Sequence, residues 1–231
     1  MNIVLDLSYV LNTTWEAFKK QWVKLSIMVL ALCVVVYCIS LFNPLQPPVT
    51  NDSMELLSWY GNNFFGICLG YAIPGLVQTI FVAYIYKEIL CAFKGVQINL
   101  TVDVLLRFVV VTFITGLLSY ISIMMCVIPA FFVIPRLIVA SLYILDRPQM
   151  SIGQAIETSW KDTKGHVIYL ILLGFVALGI SLLGVLACFV GVIPASAFLY
   201  VMLVVIYLVL TGQIGFFKAT ISQDVEEAVV E

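Results

Sequence analysis

The stretch SIGQAIETSWKDTKGH, residues 151–166, runs straight into VIYLILLGFVALGISLLGVLACFVGVIP, residues 167–194, and its reading decides the fold. Ser151 followed three residues later by Gln154 is the pattern of a capping box, which opens a helix. Ile152, Ile156, Trp160 and Val167 recur at helical spacing, with Gln154, Glu157, Lys161, Asp162 and Lys164 on other faces. That pattern predicts a helix lying flat at a membrane surface. From 167 to 192 the chain is apolar almost without interruption, which is long enough to cross a bilayer. Inside this run Gly174, Ala177, Ser181, Gly184, Cys188 and Gly191 recur at steps of 3, 4, 3, 4 and 3. A seam of small residues lets another helix come close, and dispersion contacts then supply the association energy. The seam is expected to face span three or span six.

Composition points the same way. The 231 residues are 63% hydrophobic and 10% charged, whereas a soluble domain is nearer half apolar and a quarter charged. One soluble core cannot hide that much apolar surface, so the bilayer must serve as solvent for much of it. The net charge is −2, and eleven Lys and Arg spread along the length make no basic face, which argues against nucleic acid as a partner. The six cysteines (Cys33, Cys38, Cys68, Cys91, Cys126 and Cys188) lie mostly in apolar runs without paired spacing. They read as small packing residues and not as a disulfide framework or zinc site. No cleavable signal peptide is expected, because the first apolar run is too long for one.

Taken in order, residues 1–21 hold an amphipathic in-plane helix on the cytoplasmic side, with Val4, Leu7, Leu11, Trp15 and Phe18 on one face. A six-helix transmembrane domain, residues 22–216, follows: spans at 22–42, 63–86, 102–127, 130–145, 167–192 and 195–216, with an in-plane helix at 151–164. Pro74-Gly75 should kink the second span. Residues 217–231 form an acidic cytoplasmic tail. With the N-terminus inside, ten of the eleven basic residues fall on the cytoplasmic side and only Arg136 disagrees. Trp15 and Trp160 stand at expected membrane borders as interfacial anchors.

Two internal matches suggest repetition. At an offset of 145, Thr13-Thr14-Trp15 falls on Thr158-Ser159-Trp160. At an offset of 65, Val127-Ile128-Pro129-Ala130 falls on Val192-Ile193-Pro194-Ala195. The expectation is an all-α polytopic membrane protein of three helical hairpins, arranged as parallel repeats.

The stretch 135–207 carries Leu145-Asp146, Ser151, Ala155, Ser159-Trp160, Lys164-Gly165, Leu183-Gly184, Gly191, Ile193-Pro194 and Tyr207. In these residues it resembles a group of bacterial polytopic membrane proteins of unknown function. That group is related to the membrane domain found with some glycerophosphodiester phosphodiesterases. The resemblance covers roughly a third of the chain and implies caps, close-packing glycines and turns. It transfers no catalytic residue, and the soluble phosphodiesterase domain is not present in this sequence.

No carboxylate lies deep in any expected span, which counts against a proton-coupled transporter or an intramembrane aspartyl protease. His166, the single histidine, has no partner at metal-ligand spacing. Gln78, Gln213, Thr112 and Thr115 read as helix–helix glue. Arg136 is the one basic residue outside the positive-inside pattern, roughly 10 Å past the outer turn at about 1.5 Å per residue. It is expected to snorkel outward, with Asp52 and Glu55 of the outer loop able to complete a pair. The expected function is non-enzymatic and without a cofactor: a scaffold or accessory subunit in the bacterial cytoplasmic (inner) membrane. Its partners would be membrane lipids and a partner membrane protein or a second copy. The alternative is a small-solute or lipid transporter.

Overall fold

The computed structural model describes residues 7–41, 48–49, 52–125, 127–187 and 191–213. Cys188, the first six residues and the acidic tail 217–231 lie outside the described residues. Those described are helical, with no strand: α1 Leu7–Leu41, α2 Ser53–Lys94, α3 Val102–Met125, α4 Val127–Leu137, α5 Ala140–Asp146, α6 Ile152–Asp162, α7 Val167–Leu186 and α8 Val192–Leu210. Five helices are long and apolar enough to cross a bilayer: α1, Gly70–Lys94 of α2, Val102–Met124 of α3, α7 and α8.

Three boundaries differ from the sequence reading. Residues 7–20 are not a separate in-plane helix; they continue without a break into span one as α1. The residues α1 buries are Val10, Thr13, Thr14, Phe18, Leu25, Val29 and Leu32, so its inward face packs on protein. Phe18 meets Phe198 of α8 edge-on with ring centroids 5.6 Å apart, and Trp15 lies 6.3 Å from the same ring. The physical reason is plain: 7–41 contains no Gly or Pro, so nothing stops the helix. The second difference is α2, where the expected span 63–86 extends at both ends into a helix of 42 residues. Asp52 caps its start by accepting from the Met54 N–H at 2.9 Å, and Gly95 ends it in the left-handed region at φ 63°.

The third difference is the expected fourth span, which is two short helices and not one. The ladder ends with the Ile138 N–H on the Ile134 carbonyl and resumes with the Leu142 N–H on the Val139 carbonyl. Pro135 had already removed one rung of this segment. Both pieces run along α3, and α5 is buried almost completely, with Ala140, Leu142, Tyr143, Ile144 and Leu145 at its centre.

The capping box of α6 is present in full: the Gln154 N–H donates to Ser151 Oγ, and the Ser151 N–H donates to Gln154 Oε1. Gly165 adopts φ 94° in the turn from α6 to α7, a conformation that favours glycine. In the small-residue seam, Gly184 faces α8, as one of the two expected partners. A Cβ on Gly184 would sit 2.9 Å from the Ala195 Cβ and 3.0 Å from the Gly191 carbonyl oxygen. Gly174 is different, since a Cβ there meets nothing within 4 Å. Ser181 is satisfied within its own helix, donating to the Ala177 carbonyl at 2.8 Å.

Close approach is therefore confined to the turn end of the α7–α8 hairpin. Gly184→Leu should lower stability in detergent by about 1–3 kcal/mol, the usual cost of overpacking. Gly174→Leu and Leu182→Ala, the latter at a residue 65% exposed, should leave the melting curve where it was. A Gly184→Leu melt equal to that of Gly174→Leu would show that the hairpin has room the geometry denies.

Candidate functional site

Two polar constellations stand out, one where α2, α5 and α8 come together and one between α4 and α6. The first centres on Asp146, the last residue of α5, whose side chain is only 3% exposed. Lys94, the last residue of α2, forms an ion pair with its Oδ1. Its Oδ2 accepts from the Tyr207 hydroxyl of α8 at 2.6 Å and from Gln213 Nε2 at 3.3 Å. Burial alone would raise the Asp146 pKa, but the hydrogen bonds from Lys94 and Tyr207, with the Lys94 charge, outweigh it and hold the carboxyl below its usual range. Asp146 is therefore ionised at neutral pH, and its oxygens hold three helices together.

Tyr143, one turn before Asp146, extends the network. Its ring meets the Tyr207 ring edge-on at 4.9 Å, and its hydroxyl donates to Asp162 at the end of α6, 2.5 Å away. The Arg147 guanidinium lies 5.7 Å over the Tyr143 ring.

The second constellation holds Arg136, in the last turn of α4. Its guanidinium lies 4.5 Å over the Trp160 ring, and its backbone carbonyl accepts from the Ser159 hydroxyl. This corrects the sequence expectation of outward snorkelling towards Asp52 and Glu55. The side chain is drawn to α6, because the indole face offers a cation–π surface next to a carbonyl already fixed by Ser159. α6 can come this close because Ala155, Ser159 and Thr163, one turn apart, are fully buried on its inner side. Thr163 in turn donates to the Ser159 carbonyl at 2.7 Å.

Trp15 also carries a cation, Lys19 Nζ 5.2 Å from its ring centroid, so both tryptophans of the repeated Thr/Ser-Trp pair are similarly dressed. Gln213 does act as glue between elements. Thr115 spends its hydroxyl on its own helix, and the buried Thr112 hydroxyl has no hydrogen-bond partner among the described residues. Sequence reasoning missed the Asp146 cluster, naming that residue only among those that carry the resemblance. The signal available was that Lys94, Asp146 and Gln213 each stand where an apolar helix meets a polar segment.

Asp146→Asn should cost about 3 kcal/mol, because it leaves the Lys94 charge facing a buried site without its counter-ion. The pH dependence follows from the depressed pKa. Stability from this carboxylate is complete above the ordinary aspartate value of 3.8 and is lost as pH falls through the lower folded value. Thermal melts of wild type and Asp146→Asn in detergent should therefore differ most at neutral pH and converge under acid. Glu157→Gln, which breaks the exposed Glu157–Lys161 pair, should not move the melt.

No family model, curated protein or solved structure matches the chain, so its site is read from its own geometry.

Proposed function

We propose that the chain is a non-enzymatic integral membrane protein, a scaffold or accessory subunit acting on lipids or on partner membrane proteins. The observation that carries this reading is the cleft between α2 and α3. It has a volume of about 540 Å³, is open on one side, and is walled by Ala72, Gly75, Leu76, Thr79, Val109 and Phe113, among others. Apolar walls of this kind suit an acyl chain or a partner helix, which compete for them on packing and not on charge. Large apolar side chains continue outward on the same helices: Phe64, Phe65, Tyr71 and Ile73 on α2, and Phe113, Tyr120 and Ile121 on α3 are all exposed. Meanwhile Asp146 and its partners Lys94 and Tyr207 are used up in holding helices to one another.

We place both termini in the cytoplasm of a bacterial inner membrane. Support comes from the basic residues: Lys94, Arg147, Lys161 and Lys164 stand at the ends of α2, α5 and α6, and Arg136 joins them through Trp160. The reading as parallel repeats is supported by Thr14 and Ser159, both fully buried and each followed by a tryptophan with a cation on its ring.

A transporter is the second reading, and the specific observation for it is Gly75 beside Pro74 on the cleft wall. A photo-crosslinking residue at Leu76 or Phe113 in intact membranes separates the two. A scaffold should give one lipid class or one membrane protein at near-stoichiometric yield, lost when Ala72→Trp fills the cleft. Solute uptake by proteoliposomes of the purified chain, with no such adduct, would replace the scaffold by the transporter.

A further inference from the structure

We propose that Arg136, backed by Trp160, holds the phosphate of an anionic phospholipid whose acyl chain lies in the cavity between α4, α7 and α8. The inference rests on the membrane reading above and adds to it a site and a ligand class.

The first observation is an arginine without an acceptor. The guanidinium makes no hydrogen bond or ion pair among the described residues, and its Nε is fully shielded from solvent. The carboxylates of α6 are already engaged: Glu157 with Lys161 at 2.6 Å, and Asp162 with the Tyr143 hydroxyl at 2.5 Å. A cation partly withdrawn from water needs an anion or good acceptors to offset its lost hydration. The indole face supports the guanidinium from one side, and Ser159 fixes the backbone behind it. An arginine supported in this way offers the planar fork that bidentate capture of a phosphate requires.

The second observation is independent. Ile134, Pro135 and Ile138, on the same turn as Arg136, line a cavity of about 320 Å³. Its other walls include Leu170, Leu173, Gly174 and Ala177 of α7 and Leu199, Leu203 and Ile206 of α8. This lies at the lower end of the range of about 300–1,000 Å³ for small-ligand sites. Tyr86 and Tyr200 complete a lining that is otherwise aliphatic and carries no charge, which suits a hydrocarbon tail. A free phosphate would use the fork and leave the cavity without purpose. A diacyl phospholipid with a net negative headgroup uses both, its phosphate on the α6 side of α4 and its tail on the α7–α8 side.

The test uses the full chain, purified in detergent, stripped of lipid and titrated with phosphatidylglycerol, phosphatidylcholine or inorganic phosphate under native mass spectrometry. One phosphatidylglycerol should bind in preference to phosphatidylcholine. Arg136→Gln should weaken it by about tenfold or more, the scale of a hydrogen bond to a charged group. Arg136→Lys, which keeps charge and loses the fork, should fall between them and guards against a Gln variant that fails to fold. Gly174→Phe should fill the tail cavity and reduce lipid binding with an unchanged melt, because a side chain there starts in open space. Equal phosphatidylglycerol binding by wild type and both Arg136 variants overturns the proposal, as does equal binding of phosphatidylcholine. Inorganic phosphate that displaces the lipid and is indifferent to Gly174→Phe identifies a free-phosphate site and also overturns it. Alkaline extraction of the starting membranes keeps the two levels apart. A chain released as soluble protein sinks the membrane reading, and an embedded chain with no lipid preference sinks only this site.

Discussion

The buried carboxylate of Asp146 is the interaction on which the rest of the packing depends. It gathers the end of α2 through Lys94, the last turns of α8 through Tyr207, and the residue just beyond α8 through Gln213. Each of those partners would carry an unsatisfied polar group into an apolar bundle if left alone, so the network is costly to leave partly made. Made completely, it fixes the register of helices whose apolar faces could otherwise slide past one another. Tyr143 carries the constraint to Asp162, so α6 is tied to the same point from the other side.

Much of this could be read from the sequence, for identifiable reasons. The long apolar runs of α3, α7 and α8 have one reading in a chain this hydrophobic. Ser151 and Gln154 mark the start of α6 because capping is local, involving residues three apart. The turn into α8 also shows itself, with Pro194 in the first helical turn, where a missing N–H costs nothing. What failed depended on context beyond a window. The face of 7–20 looked amphipathic, but its inward residues turned out to be Val10, Thr13 and Thr14, chosen by a protein neighbour. The missing breakers in 7–41 were there to be seen. Span two was expected to begin at residue 63, but Gly61 and Asn62 do not stop the helix. The division falls at Ile138 and Val139, two β-branched apolar residues, and its one local signal is Pro135 three residues earlier.

The candidate sites show the same split. Gly184 was legible as a close-packing position, yet equal weight on Gly174 was misplaced, since spacing alone does not say where two helices diverge. Arg136 was legible as an oddity, because a charge in an apolar stretch needs an explanation. Its partner was not, since Trp160 is 24 residues away and the offset-145 match presented it only as a border residue. Lys94, Asp146 and Tyr207 are separated by 52 and 61 residues, and no periodicity links them.

The length of α2 has a mechanical consequence. Its 42 residues extend about 63 Å at about 1.5 Å per residue, roughly twice the hydrocarbon thickness of a bilayer. One end is anchored, by Lys94 to Asp146 and by Glu88 to Lys24 of α1. Pro74 removes a rung some twenty residues, about 30 Å, from that anchor, and most of the residues beyond it are exposed. α2 is thus a cantilever with a compliant point partway along. Bending stiffness is lowest at the wall of the cleft shared with α3, so a small angular change at Pro74 becomes a displacement of several ångströms at the free end. Whatever leans on that outer arm sets the width of the cleft.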